Sequence, residues 1–159
     1  MTKILKGIFL GTLVTIGSVA IAAGEPADPV IGTWKLNVAK STFKAGPALK
    51  SQTRIYSQSA QGITLNMKTV GADGKESDSQ TTYHLDGKAY PVTGNPDYDG
   101  LSGKQVDSNS AEFTLMRAGK AIGTTRRTVS KDGKTLTSDF KMTDAKGEKT
   151  EETMVLDKQ

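Results

Sequence analysis

Two adjacent arginines, Arg126 and Arg127, are the side chains of this sequence best suited to binding an anion. They lie in "AIGTTRRTVS", a run rich in small and β-branched residues that favours a β-strand. Because side chains alternate across a strand, one of the two arginines faces inward. An inward arginine can hold a carboxylate or a phosphate group by two parallel hydrogen bonds.

Two counts of the side-chain alternation give different answers for which arginine faces inward. Counting back from Val129 selects Arg127, whereas counting forward from Ile122 selects Arg126. This conflict predicts a β-bulge near Gly123. Besides ligand binding, two structural roles remain open for the inward arginine: it stacks on the only tryptophan of the chain, or it lies near a rim where water solvates it.

Four apolar side chains are candidates for the wall of a binding site around that arginine. They lie on the apolar faces of alternating segments: Tyr83, Phe113, Phe140 and Met142. Methionine adapts to varied apolar ligands, although it fills ordinary protein cores in the same way. Small polar residues fall on the same predicted inner faces: Thr69, Thr81 and Ser138. They line a partly hydrated cavity or hydrogen-bond across strands in a filled interior.

The remaining polar residues do not combine into a catalytic or metal site. His84, the only histidine, is predicted to face outward, and the chain contains neither cysteine nor a G-x-S-x-G sequence. "NPDYDG" (95–100) places oxygen-bearing side chains at alternate positions, as a calcium loop does. Val106 stands where such a loop has a bidentate glutamate, however, and an ordinary turn explains the same residues. The sequence therefore predicts no enzyme, no cofactor and no metal.

Short alternating segments separated by turn residues are expected to position these side chains. Turns such as "GADGK", "LDGK" and "SKDGK" recur at intervals of about 10 to 15 residues, which is typical of an all-β sandwich or barrel. The alternation predicts strands over 30–37, 51–58, 62–70, 78–86, 88–93, 101–107, 111–117, 120–130, 134–143 and 149–157. Segment 38–50 is the sizeable interruption and has room for one helical turn.

A meander of consecutive hairpins most simply closes into a barrel. Closure removes the exposed sheet edges that would otherwise promote aggregation. We therefore predict an all-β, up-and-down, lipocalin-like barrel of about eight to ten strands, with a sandwich as the alternative architecture.

The N-terminal residues are predicted to direct export. Lys3 and Lys6 precede an uncharged apolar run that ends in small residues, the pattern of a secretory signal peptide. We assign residues 1–23 to the signal peptide, 24–29 to a short linker and 30–159 to one domain. An uncleaved membrane anchor is the alternative. After cleavage the protein is expected in the periplasm or the medium, without a stable membrane anchor.

The charge balance argues against a nucleic-acid partner. The chain has 21 Lys and Arg residues and 17 Asp and Glu residues, and removal of the two lysines of the signal peptide leaves a net charge of about +2. Because the chain has no cysteine, an exported form depends on its core rather than on disulfides.

"GTWKLN" (32–37), on the first predicted strand, resembles the G-x-W signature of the calycins, the lipocalins and fatty-acid-binding proteins. In those families the tryptophan lies across one end of the barrel and the glycine lets the chain pass close to it. The resemblance implies these roles for Trp34 and Gly32. Lipocalins also place an arginine near the last strand against the tryptophan, whereas residues 140–159 contain none. Segment 38–50 is too short for the helix pair of the fatty-acid-binding proteins.

Two further segments extend the resemblance. The C-terminal sequence from Gly133 is similar to the end of a fatty-acid-binding protein. "GTWKLNVAKSTF" together with "DGKAYPVTGNPD" resembles a group of small secreted bacterial proteins of unassigned function.

The resemblance implies a binding protein rather than an enzyme. The expected function is non-catalytic binding of a small hydrophobic or amphipathic molecule in the cell envelope, anchored by Arg127 or Arg126. The alternative is a protein-binding module, such as a periplasmic inhibitor or an envelope-assembly partner, with a filled barrel. Loops 38–50 and 93–103 would then contact the partner.

Overall fold

In the computed structural model, ten antiparallel strands form most of the described part of the chain. Their bounds are β1 Gly32–Leu36, β2 Ser51–Ser59, β3 Gly62–Val70, β4 Glu76–Tyr83, β5 Asp86–Pro91, β6 Gly100–Asp107, β7 Ser110–Arg117, β8 Lys120–Val129, β9 Thr135–Thr143 and β10 Lys149–Lys158. One turn of 3₁₀ helix, Val38–Lys40, follows β1. Every strand overlaps one predicted from the alternation, and the helical turn falls in the predicted interruption.

The structure describes residues 27–44, 46–143, 147 and 149–159. The predicted signal peptide, residues 1–23, therefore lies outside the described residues, as does the first half of the predicted linker. Within the described residues, no helix is long and apolar enough to cross a membrane.

The strands form one sheet that nearly closes on itself. Their order is β4-β3-β2-β1-β10-β9-β8-β7-β6-β5, so the pairing of β1 with β10 joins the first half of the chain to the second. At the seam between β4 and β5, Gln80 and Thr93 exchange two backbone hydrogen bonds of 3.0 and 2.9 Å. Thr81 Oγ1 also donates to the carbonyl oxygen of Pro91 at 2.8 Å. The predicted all-β meander barrel is thus confirmed, in place of the sandwich.

The barrel has two different ends. We call the end at which β1 begins the floor; it carries the turns that join β2 to β3, β6 to β7 and β8 to β9. We call the opposite end the mouth. It carries the connections 37–50, 71–75 and 92–99.

Inward side chains of alternating residues form the core. In β9, Leu136 is fully buried whereas Asp139 is exposed. The same alternation buries Leu101, Leu115 and Leu156 on their strands. Full burial of one such side chain stabilises the fold by about 1.5–3 kcal/mol.

Trp34 lies fully buried toward the floor of the barrel. Its indole N–H donates to the carbonyl oxygen of Val30 at 2.6 Å, so its polar group is paired. Lys158 Nζ lies 5.0 Å from the centre of the ring, and the last strand therefore supplies a cation although it has no arginine. A Cβ on Gly32, whose φ is +132°, would lie 3.0 Å from Lys158 Cε. Gly32 thus leaves the space through which Lys158 reaches the tryptophan.

A bulge interrupts the pairing of β7 with β8. Leu115 pairs with Gly123 and Met116 pairs with Ala121, which leaves Ile122 as the extra residue. The predicted bulge near Gly123 is therefore confirmed, and it accounts for the two conflicting counts of the sequence.

Gly94 is required where the seam closes. Its φ is +73°, and a Cβ at this position would overlap the backbone carbonyl oxygen of Asp78. Gly119 has almost the same φ, +74°, but a Cβ there would meet no atom within 4 Å. Both substitutions by alanine strain the backbone, but only Gly94→Ala forces β4 away from the 92–99 connection.

We expect Gly94→Ala to lower the free energy of unfolding by about 1–3 kcal/mol more than Gly119→Ala does. Urea denaturation of both variants, followed by the fluorescence of the single tryptophan, measures this difference. Equal losses of stability in the two variants would show that the seam does not constrain this position.

Candidate ligand cavity

A cavity of about 580 Å³ runs from the mouth down the inside of the barrel. This volume lies within the range of about 300–1,000 Å³ that small-molecule sites occupy. Phe43 and Leu49 line it near the mouth, and Tyr56 and Tyr83 line it toward the floor. The barrel therefore has an internal cavity that opens toward the mouth.

The four predicted wall residues all line this cavity. Tyr83 and Phe113 meet edge to face, with ring centres 5.4 Å apart. Phe140 and Met142 follow each other at inward positions of β9. The structure brings these four residues together, and their role in ligand binding stays a prediction.

The structure selects Arg127 as the inward arginine of the pair. Its side chain is only 4% exposed, and its guanidinium lies 5.9 Å from the ring centre of Tyr56 and 5.6 Å from that of Phe113. One terminal nitrogen donates to the hydroxyl of Tyr83 at 2.9 Å, and the other donates to a carboxylate oxygen of Asp28 at 2.6 Å. Arg127 is thus neutralised within the protein, at the floor.

Tyr83 and Asp28 complete this floor cluster. Burial raises the pKa of Tyr83 well above its ordinary value, against the opposing effect of the positive charge of Arg127. The phenol therefore stays uncharged and accepts a hydrogen bond from the arginine. The second carboxylate oxygen of Asp28 accepts from the backbone N–H of Val30 at 2.9 Å, which ties the predicted linker into the floor.

Arg126 lies on the outer face of the barrel. It pairs with Glu112 at 3.0 Å and lies 3.9 Å from Asp107, with its side chain 44% exposed. It is not among the residues that line the inner cavity. Of the two arginines that the sequence left open as the anchor, only Arg127 therefore faces the interior.

A third arginine, Arg54 of β2, projects into the cavity higher up the wall. Its residue is 5% exposed. Its Nε donates to Gln52 Oε1 at 2.7 Å, and one terminal nitrogen donates to Ser138 Oγ at 2.8 Å. The other terminal nitrogen lies 3.4 Å from the sulfur of Met154, a weak acceptor. The guanidinium also lies 5.9 Å from the ring centre of Phe140.

Arg54 and Arg127 differ in their charged partners. Among the described residues, no carboxylate forms an ion pair with it within 4.0 Å, whereas Asp28 pairs with Arg127. A guanidinium has five N–H donors, and only three of those of Arg54 have a partner in the described part of the chain. The cavity that Arg54 lines also has charged residues in its lining: Asp73, Lys75, Glu76, Asp97, Arg127 and Glu152.

Tyr98, from the 92–99 connection, reaches this region from the mouth. Burial raises the pKa of Tyr98, and the positive charge of Arg54 opposes that effect. The phenol therefore stays protonated at neutral pH, so it offers a hydrogen-bond donor close to the arginine.

Sequence reasoning missed Arg54. Gln52, Arg54 and Tyr56 face inward, whereas Ile55 between them is 47% exposed. A hydrophobicity pattern assigns isoleucine to the interior and arginine to solvent, which is the reverse of what is found here. The available signal was Tyr56, whose position two residues after Arg54 puts both on one face.

The remaining residues that the sequence analysis considered for catalysis or metal binding do not form such a site in the described part of the chain. His84 is exposed, with its ring 6.0 Å from that of Tyr90. Asn95 Oδ1 accepts from the backbone N–H of Asp97 at 2.8 Å, as in an ordinary turn. Within the described residues, no three His, Asp or Glu side chains are grouped as metal ligands.

The fold and the cavity define the class of protein: a small antiparallel β-barrel with an internal, partly polar cavity, compatible with a calycin-like fold. No protein-family model matches the chain, and no curated protein is significantly similar to it.

Proposed function

We propose that this protein binds, without catalysis, a small amphipathic molecule that carries an anionic group. The anionic group pairs with Arg54, and the apolar remainder lies against the aromatic and methionine wall. The proposal includes export by a signal peptide, so that binding takes place in the cell envelope of a bacterium, in the periplasm or outside the cell. We also propose that the protein is related to the lipocalins and fatty-acid-binding proteins.

The observation that carries the proposal is the buried charge of Arg54, which forms no ion pair with any of the described residues. A cation removed from water is costly unless an opposite charge or strong acceptors replace the lost solvation. Gln52, Ser138 and Met154 supply neutral acceptors, and the thioether is a weak one. An anionic ligand group would supply a negative charge opposite Arg54 and accept hydrogen bonds from the remaining N–H groups of the guanidinium.

The form of the cavity supports an amphipathic ligand rather than an inorganic anion. A volume of about 580 Å³ is far larger than a carboxylate or phosphate group needs. Leu65, Phe140 and Met142 give much of its surface an apolar character. Arg54 thus suits the anionic end of the ligand, and the apolar wall suits its other end.

The protein purified gently from its native envelope tests this proposal. We expect native mass spectrometry to show an additional mass that is lost on denaturation, and the denatured mass to be that of a chain without its first 22 or 23 residues. We also expect dodecanoate to raise the melting temperature, since a ligand at 100 times its Kd stabilises by about 2.7 kcal/mol. A bare native mass, together with no shift for any long-chain acid, would contradict the binding function.

A further inference from the structure

Two polar side-chain atoms on the inner face of β8 have no hydrogen-bond partner. They are Thr125 Oγ1 and Arg127 Nε, and within the described residues they are the buried side-chain nitrogen and oxygen atoms left unpaired. A buried polar atom without a partner costs about 1–3 kcal/mol and is rare in native proteins. Both residues line the cavity, and they are two positions apart on one face of the strand. We call Thr125 and Arg127 the β8 strip.

The β8 strip lies directly beside the atoms that Arg54 contacts. Ser138, which accepts a hydrogen bond from Arg54, is paired in register with Arg127. Phe140, whose ring lies under the guanidinium of Arg54, is paired in register with Thr125. Neighbouring strands are about 4.8 Å apart. The β8 strip therefore lies about one strand spacing from the β9 residues that the guanidinium of Arg54 contacts.

The chemistry of the strip fits an uncharged oxygen. The charge of Arg127 is already balanced by Asp28, so its Nε–H adds a donor without demanding a second anion. The hydroxyl of Thr125 can donate or accept. A hydroxyl or carbonyl oxygen can satisfy both atoms, whereas a methylene group leaves both unpaired. Because Thr125 Oγ1 and Arg127 Nε are both enclosed by their neighbours, side-chain rotations are needed to turn them toward the cavity.

We propose that the ligand carries a hydroxyl or carbonyl oxygen close to its anionic group, and that Thr125 determines this specificity. The inference rests on the proposed function, because it places the anionic group on Arg54. The distance of about one strand spacing puts the second oxygen within a few bonds of the anionic group. The ligand class is thus an oxygenated amphipathic acid rather than a plain hydrocarbon acid.

Isothermal titration calorimetry of the full mature protein with dodecanoate and with α-hydroxydodecanoate tests this inference. We expect the wild type to bind the hydroxy acid about fivefold more tightly, the worth of one ordinary hydrogen bond. Thr125→Val should remove this preference, so that the variant binds the two acids with equal affinity. Thr125→Ser, which keeps the hydroxyl, should retain it. Thr124→Val, an exposed neighbour on the outer face, is the matched control and should behave as the wild type.

The stability of the unliganded variants gives a second, independent readout. Thr125→Val replaces an unpaired buried hydroxyl by a methyl group, so its melting temperature should rise. Thr81→Val, which loses the hydrogen bond to Pro91, should melt at a lower temperature than the wild type. A fall in melting temperature for Thr125→Val would show that its hydroxyl already has a partner, and would overturn the inference.

The outcomes separate this inference from the proposed function. Equal binding of the two acids by the wild type, or a preference that survives in Thr125→Val, overturns the role of Thr125 and leaves the anionic site of Arg54 standing. Failure of the wild type to bind either acid overturns the proposed function, and the inference with it.

Discussion

Replacement of Asp28 by alanine is expected to lower the free energy of unfolding by about 3–5 kcal/mol. The substitution leaves the guanidinium of Arg127 buried without its counter-charge, since the side chains of Arg127 and Asp28 are only 4% and 10% exposed. Their ion pair is 2.6 Å long. Urea denaturation with tryptophan fluorescence as the signal measures the loss, because Trp34 is fully buried beside the affected turn.

Asp28→Asn removes the negative charge but keeps the hydrogen bond within the turn, so it separates these two contributions to stability. Asparagine keeps an oxygen that can accept from the backbone N–H of Val30, as the carboxylate of Asp28 does. The double variant Asp28→Ala/Arg127→Met removes both charges together, so we expect it to recover most of the stability lost in Asp28→Ala. If the double variant loses the sum of the two single losses, the ion pair does not stabilise the floor and the prediction is wrong.

The contribution of Asp28 could not have been read from the sequence. The stretch 24–29 has the composition of a linker, and nothing local indicates that one of its residues reaches a strand that follows about 100 positions later in the chain. Only the antiparallel closure of the barrel brings Asp28 under Arg127. Residues that close a barrel end are set by topology rather than by their sequence neighbours.

The strands and the bulge, by contrast, were predictable because they depend on local properties. Period-two alternation and Asp-Gly turns act within a few residues, and all ten strands agree with them. The bulge left a local trace as well, since the counts from Val129 and Ile122 disagree unless one residue is extra. The inward position of Arg127 follows once that residue is identified as Ile122.

The hollow interior and Arg54 were not predictable for a different reason. Whether a barrel is filled depends on its strand number and on how side chains of all strands meet across it. On β2, Arg54 faces inward and its neighbour Ile55 faces outward. Burying an arginine while exposing an isoleucine does not favour the stability of the fold. Local rules of this kind tend to fail at functional sites, and this exception is a buried arginine that forms no ion pair with the described residues.

Arg54→Met is expected to lower the affinity for dodecanoate by about tenfold to a hundredfold, since hydrogen bonds to a charged group contribute about 1.5–3 kcal/mol. The same substitution should leave the unliganded protein at least as stable as the wild type. Methionine has a similar length and no charge to bury, which offsets the loss of the hydrogen bonds to Gln52 and Ser138, and it packs against Phe140 and Met154. Loss of binding without loss of stability is the pattern expected of a binding residue that the fold itself does not require.

Two further variants make this last result specific to the guanidinium of Arg54. Arg54→Lys keeps the charge but loses the planar, two-pronged donor set, so its affinity should fall between those of the wild type and Arg54→Met. Arg126→Met makes the same chemical change on the outer face, where Arg126 pairs with Glu112, and should bind dodecanoate as the wild type does. Calorimetric titration measures all four proteins under the same conditions. Wild-type affinity in Arg54→Met would refute the anchoring role, because an anion held by this guanidinium cannot bind equally well when the charge is absent.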